Sequence, residues 1–434
     1  MENNQNPHNL ISSKAGVEGL FLKIRFIVSQ YLHGLKIVSE IKKKAKRGEQ
    51  INVIFILIHG SVWPYERLYR KFKSDKRFNT QIIIAPYTLY GKAEMMKTLE
   101  ETKKLFCDDM YNSFVAYDEE KDEYIDIKTK FNPDIVFFTN PHSLTEADYS
   151  IDHFWKDSLT CYVPYGIYAA NIQNLQFNQQ FHNVLWRHFL PSQLHQKMAI
   201  KYAYNKGMNT VVTGYPKCDI FIGNEHNSRD PWKKVGKQLK KVIWAPHHTI
   251  EDNSLELGYS TFEIYSESML ELADKYKHKL QFALKPHPLL WMKLKQEKGW
   301  SESRITQYRN LWKNGGNTQL EEGEYLELFI HSDGLILDSI SFISEYMYLN
   351  KPHLFLAKNA NTGNKFNEYG KLVYDLMYEA SNRLEVERFI ERVIIRGDDY
   401  LSSNRDRFTQ KYLIPQNKQL ASDMIYKYIA KTIL

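Results

Sequence analysis

Three short segments put groups suited to phosphate chemistry at places where strands run out. Trp244-Ala245-Pro246-His247-His248-Thr249 and Leu284-Lys285-Pro286-His287-Pro288 each close an apolar run and set histidine at the opening of a loop. Ser332 to Tyr346 reads as a strand, a hydroxyl-rich turn carrying Asp338, Ser339 and Ser341, and a helix start carrying Glu345. Open α/β sheets bind ligands outside the carboxyl ends of their strands, so three such ends bearing His, Lys, Ser and Glu describe a phosphate-handling cleft.

Each segment has its own chemistry and its plainer alternative. In Lys285-Pro286-His287-Pro288 the prolines fix φ and push Lys285 and His287 toward extended geometry, which gives a stiff turn fit to hold a pyrophosphate oxygen. A proline-rich surface turn is the alternative. His247 and His248 are neighbours, so on extended backbone they point to opposite sides and one of them lines the cleft. A hydrogen bond or proton to a leaving phosphate is the role that suits it, and a buried, satisfied imidazole suits the other. Ser339, Ser341 and the free N–H groups of the helix start make an anion site, in which Glu345 accepts from a ribose diol. Asp338 or a serine capping that helix is compatible with binding. Neither a spaced set of metal ligands nor a DxD pair stands out, so no obligatory metal is expected.

The elements that must position these groups follow from apolar runs. Ile51–Ile58, Thr80–Ala85, Asp134–Thr139, Leu159–Val163 and Thr210–Thr213 read as buried strands, with a helix near Tyr65–Phe72. After a turn-rich stretch the rhythm restarts with Lys241–Ala245, Leu280–Leu284, Gly334–Leu337 and His353–Ala357. Near-continuous apolar strands alternating with helices predict parallel sheets covered on both faces. The expected organisation is a flexible N-terminus (1–15), an amphipathic basic helix (16–48), a Rossmann-like domain (49–222), a linker (223–233), a second Rossmann-like domain (234–404), and C-terminal helices (405–434) that the sequence allows to return to the first domain.

The chain has 434 residues, 43% hydrophobic and 25% charged, with a formal net charge of +7. That length and balance fit two or three globular domains and favour an anionic partner, and charge alone does not make a nucleic-acid binder. Cys107, Cys161 and Cys218 are widely separated and form no CxxC pair, so neither a disulfide framework nor a zinc site is indicated and a reducing cytoplasm fits best. No apolar stretch approaches the roughly 18 residues of a spanning helix, and residues 1–13 lack a signal-peptide core. Val17, Leu20, Phe21, Ile24, Ile27, Val28, Tyr31, Leu32, Leu35 and Val38 repeat at helical spacing ahead of the basic run 42–47. Such a helix either lies on an anionic membrane surface or packs on its own domain.

Taken together, the "D-S-x-S-x-x-x-E" turn closely followed by Lys351-Pro352, and the "K-P-H-P" turn before it, resemble the polyol-phosphate transferases that use CDP-glycerol or CDP-ribitol, the teichoic acid polymerase and primase family. The resemblance extends more loosely through Tyr162-Val163-Pro164-Tyr165-Gly166, Leu185-Trp186-Arg187 and Val211 to Lys217. It implies a GT-B-like pair of Rossmann-type domains, a CDP-polyol donor held by the second domain, and an acceptor entering across an interdomain cleft. It also implies transfer of glycerol phosphate or ribitol phosphate to a hydroxyl of a cell-surface glycan or lipid-linked acceptor, with release of CMP. In that scheme Lys285, His287, Ser339 and Ser341 neutralise pyrophosphate, Asp338 belongs to the donor site, His247 or His248 assists the leaving phosphate, and Glu345 holds ribose. The family's place of work implies a cytoplasmic protein, peripheral at the inner face of the cell membrane.

One departure stands out. Members of that family carry a His-Gly pair in the first domain, and the corresponding segment here reads Pro164-Tyr165-Gly166. Tyrosine, with an unperturbed pKa of about 10, is a poor general base near neutral pH. His59, after the first strand, and His142, after Phe137-Phe138-Thr139-Asn140-Pro141, are the available replacements, with His59 better placed by fold analogy. Two other readings stay open: a nucleotide-sugar glycosyltransferase of the same architecture, and a non-catalytic binding subunit.

Overall fold

The computed structural model describes residues 17–223, 229–251 and 258–434, with backbone alone for 17–24, 26 and 417. The expected flexible N-terminus, residues 224–228 of the expected linker and the side chains of Val17, Leu20, Phe21 and Ile24 therefore lie outside the described residues. The chain forms two compact units. The first comprises 1–166, 173–219 and 415–434, the second 167–172 and 220–414.

The first unit is built on β1 (Ile51–Leu57), β2 (Phe78–Ile84), β3 (Ser113–Val115), a small hairpin of β4 (Tyr117–Asp118) and β5 (Glu123–Tyr124), then β6 (Ile135–Phe138), β7 (Leu159–Tyr162), β8 (Arg187–Leu190) and β9 (Thr210–Val212). Seven of these make one sheet in the order β3-β2-β1-β6-β7-β8-β9. Every pair in it is parallel. Ile, Val and Phe fill both faces of β1 and β6, as a sheet covered by helices on each side requires. The order reverses between β1 and β6, so the carboxyl ends of these neighbours open a crevice.

The second unit repeats the plan with β10 (Lys240–Ala245), β11 (Leu280–Leu284), β12 (Thr318–Leu320), β13 (Gly334–Leu337), β14 (His353–Leu356) and β15 (Tyr378–Ala380). Its sheet runs β12-β11-β10-β13-β14-β15, all parallel, with the reversal between β10 and β13. Trp244, the residue before Ala245-Pro246, is fully buried and stacks on Phe262 at 5.5 Å with the rings 2° apart. The loop that follows β10 thus leaves from a rigid anchor.

Three boundaries differ from the sequence expectation. Residues 167–172, expected in the first domain, pack with the second: the Asn367 backbone N–H donates to Ala169 O at 2.9 Å, its side chain donates to Tyr168 O, and Ala170 bridges Phe366. A β-carbon on Gly370 would lie 2.3 Å from Ala169 O, so this close approach requires glycine there. Residues 220–222 also fall in the second unit, as does the helix Ser402–Tyr412. From Pro415 the chain belongs to the first unit, where the helix Ala421–Ile433 buries Ile425, Ile429 and Ile433 and sets Tyr426 5.3 Å from the Phe72 ring. Its N-terminus is capped from afar: the buried carboxylate of Asp219 accepts Ala421 N–H at 2.7 Å and Ser422 N–H at 2.9 Å.

The basic amphipathic helix runs Val17–Lys46 and has two different halves. Ile37, Val38 and Ile41 are buried against the first unit, and Lys44 is ion-paired with Asp134 at 2.5 Å. Val28, Tyr31, Leu32 and Leu35 stay about half exposed or more (48–59%). No helix among the described residues is long and apolar enough to cross a membrane.

Candidate functional site

The three signalled segments of the second unit emerge from adjacent strands, β11, β10 and β13, at the point where strand order reverses. Ladder bonds draw the loops together beyond the strands themselves: Lys285 N–H donates to Trp244 O at 2.8 Å, and His287 N–H to Pro246 O at 3.1 Å. The rings of His248 and His287 come within 4.0 Å of each other, His247 and His248 within 4.5 Å, and His247 and His287 within 5.2 Å, centre to centre. These histidines have no metal-ligand spacing in the chain, yet the fold gathers ring nitrogens of all three within 4.8 Å, and both histidines of the 247–248 pair face this cluster rather than one alone. This trio is the place where a metal could be held.

Burial sets the state of the three rings. It pushes His287 down to about 3, with His248 and Lys285 adding to the effect, and His248 down to about 4, with Lys293 contributing. His247 lies well below its usual range for the same first reason. All three are neutral at pH 7. Lys285 is buried beside them and supplies a positive charge close to His287.

Asp338 is enclosed by donors of the chain itself. It is fully buried, and it accepts His247 N–H at 2.5 Å, Thr261 Oγ1–H at 2.8 Å and the Thr261 N–H. Burial raises its carboxyl to about 6 against those donors. Asp338 therefore ties the end of β13 to the loop after β10 and to the start of the helix Phe262–Lys275. It braces the loops of the site against one another. Ser339 is buried and accepts Ser341 N–H at 3.3 Å, while Ser341 is exposed. The helix after them, Phe342–Met347, has only six residues, so hydroxyls and imidazoles, more than a helix dipole, are the donors here. Glu345 is buried, and the Tyr325 hydroxyl donates to it. Lys351 is occupied in capping the short helix Leu326–Ile330 through Phe329 O and Ile330 O.

The histidines and Tyr165 of the first unit likewise stand at carboxyl ends of adjacent strands, β1, β6 and β7. Tyr65, whose hydroxyl donates to Phe138 O at 2.7 Å and accepts Val163 N–H at 2.8 Å, clamps the last two together. His142 and Tyr165 lie 6.1 Å apart, and His142 lines a cavity of ≈ 430 Å³ with Asn140, Ser143, Thr145 and Gln179. His142 Nδ1 accepts from Gln179 Nε2 at 3.2 Å, while that amide also donates to Leu175 O. His59 is outside this cavity, edge-on to Tyr87 at 4.4 Å. Burial lowers both His59 and His142 and raises the Tyr165 phenol. Gly166 follows Tyr165 with open space around its α-carbon.

Sequence reasoning missed Thr249, Thr261, Tyr325 and Gln179, which hold the expected residues in place. They carry no motif of their own, and each acts across a loop or on a partner brought near by the fold.

The sequence profile described as CDP-glycerol:poly(glycerophosphate) glycerophosphotransferase matches residues 165–431, well over half of the chain. The protein belongs to this family. Among curated proteins no sequence matches significantly. Among solved structures, a histidine-to-asparagine variant of the wall teichoic acid polymerase TagF superposes with a TM-score of 0.57 at 12% identity, over 94% of this chain and 98% of that one. The same variant soaked with CDPG gives 0.57 at 14%, over 96% and 98%. S. aureus MnaA with UDP gives 0.56 at 13%, over 89% and 98%. At such identities the likeness establishes the GT-B-like α/β fold. The family assignment rests on the profile, which spans all three site segments of the second unit.

Proposed function

We propose that this protein transfers glycerol phosphate or ribitol phosphate from a CDP-activated donor to a hydroxyl of a lipid-linked or polysaccharide acceptor in cell-envelope synthesis. The observation that carries the reading is the convergence of Lys285, His247, His248, His287 and Ser339 on the strand-order reversal of the second sheet. In this scheme the acceptor oxygen attacks the β-phosphorus, the bond from that phosphorus to the bridging oxygen breaks, and CMP leaves. The acceptor proton passes to a base, for which His59 is the candidate. Lys285 and the neutral imidazoles stabilise charge on the transferring and leaving phosphates, so positioning and electrostatics do most of the work. Glu345 is the candidate for ribose.

The test is CMP release from CDP-glycerol, CDP-ribitol and a panel of UDP-, GDP- and CMP-sugars, with a hydroxyl acceptor. A CDP-polyol should be consumed, and His287→Ala should raise its KM about 10-fold or more, the scale of a hydrogen bond to a charged group. Turnover of a sugar nucleotide alone would move the reading to a glycosyltransferase. Unchanged kinetics in a folded His287→Ala protein would remove His287 from the site.

The N-terminal helix supports a second part of the proposal, contact with an anionic membrane surface. Its open face, Val28, Tyr31, Leu32 and Leu35, adjoins the exposed Lys36, Lys42, Lys43 and Lys46. Lys44 is engaged by Asp134 and is left out of the test. Phosphatidylglycerol vesicles should sediment the protein, several-fold less at high salt and several-fold less after Lys42, Lys43 and Lys46 are changed to Glu. Equal sedimentation of the variant would make this helix purely structural.

A further inference from the structure

We infer that Thr249 is a positioning residue which, with the Leu289 amide, fixes the proton of two site histidines on Nε2 and so makes the trio an anion site rather than a metal site. The inference rests on the donor reading only for its effect on KM.

Hydrogen-bond polarity locates the ring protons. His287 Nδ1 accepts the backbone N–H of Leu289 at 3.1 Å. An amide can only donate, so this nitrogen carries the lone pair and the neutral ring keeps its proton on Nε2. His247 Nδ1 lies 2.8 Å from Thr249 Oγ1 and 3.3 Å from Thr249 N. The same Oγ1 accepts Tyr259 N–H at 3.1 Å, and because the Thr249 N–H donates to His247 Nδ1, that nitrogen holds a lone pair toward which the hydroxyl hydrogen points. Two donors therefore face His247 Nδ1, and its proton too sits on Nε2.

Metal-binding histidines show the opposite polarity, giving the distal ring N–H to a carbonyl or carboxylate so that the other nitrogen offers a lone pair. Here the backbone occupies the lone pairs and leaves N–H groups at the far side of two rings. Both rings remain neutral through the low values described above, so they act as hydrogen-bond donors, matched to phosphate oxygens. Thr249 acts through His247 and touches no substrate.

The test uses the full chain labelled with ¹⁵N-histidine, its ring signals assigned with His247→Gln and His287→Gln. Long-range ¹H–¹⁵N spectra should show both residues protonated at Nε2. Thr249→Val, which loses the hydroxyl and keeps the weaker backbone donor, should give His247 a measurable share of the Nδ1-protonated form and raise the donor KM about 10-fold with kcat within about threefold, while Thr249→Ser keeps the parental tautomer and KM. A parent protein with His247 or His287 protonated at Nδ1 would overturn the inference, as would an unchanged His247 spectrum in Thr249→Val, or stoichiometric Zn²⁺ binding at micromolar concentration that His247→Gln abolishes. The spectra need no donor, so a protein that releases no CMP but shows these tautomers refutes the donor reading and leaves the tautomer assignment standing.

Discussion

Replacing His59 with glutamine should lower kcat by about 100-fold or more and leave the donor KM within about threefold, the signature of a lost proton acceptor. Three observations single it out from the other first-unit candidates. His59 stands at the carboxyl end of β1, beside the strand-order reversal. Burial lowers its pKa, so the ring is neutral at pH 7, and no hydrogen-bond partner for its nitrogens is found among the described residues. His142, by contrast, has Nδ1 taken up by Gln179, and Tyr165 holds its phenolic proton more firmly than an ordinary tyrosine. Tyr165→Phe should accordingly keep substantial activity. A large fall in kcat in His142→Ala or Tyr165→Phe, with His59→Gln active, would return the proton transfer to the cavity beside β6 and β7.

Acid should destabilise this protein well before most carboxylates titrate. Burial holds His188, His287 and His353 down to about 3 and His248 to about 4, and keeps His182 and His247 well below the usual range. A histidine with a lowered folded pKa binds protons first in the unfolded chain, so its contribution is complete above the unfolded value and is lost as pH falls. Each one that stays neutral removes about 1 kcal/mol between pH 6.5 and 5.5. Asp338 works in the opposite sense, since its raised carboxyl takes up a proton in the folded state near pH 6, but it is one group against several. The net loss is several kcal/mol, a large share of the roughly 5–15 kcal/mol that holds a domain together. Urea denaturation followed by circular dichroism at pH 7.5, 6.5 and 5.5 should show the midpoint dropping steeply. A midpoint that does not move over this range would mean that these rings find water or protons in the folded state.

What was legible in the sequence was the part written in contiguous residues. Ile51–Leu57 and Leu280–Leu284 are buried on both faces and read directly as central strands. Arg187-His188-Phe189-Leu190 does not, because its polar residues are satisfied or enclosed by tertiary neighbours: His188 sits against Tyr162 and His182, and Arg187 donates to Trp186 O. Of the three-residue strands, β9 is legible through its apolar run at Thr210–Thr213, while β3, β12 and β15 carry no such run and are too short to show a period. At the site, histidine, lysine and serine announced themselves through proline-rich and hydroxyl-rich turns. The role of Asp338 did not, since its partners lie 77 and 91 residues away and only the folded sheet brings them within reach. The same holds for the metal-like clustering of histidines 247, 248 and 287, which comes from the pairing of β10 with β11 and has no spacing rule behind it.

Asp219 and the helix it caps are separated by 202 residues of chain. On a ribosome the carboxylate emerges roughly 10 to 40 s before the amides it must meet, at ordinary elongation rates. In that interval the seven-stranded sheet can form, but the site where Tyr426 will lie on Phe72 and Phe78 is open, and the Asp219 carboxylate lacks the two amides that it caps. The unit that begins first is thus the last to close. A nascent chain in this state presents an apolar groove beside an uncapped acid for as long as the whole second unit takes to be made, which is the kind of surface that a holdase chaperone shields.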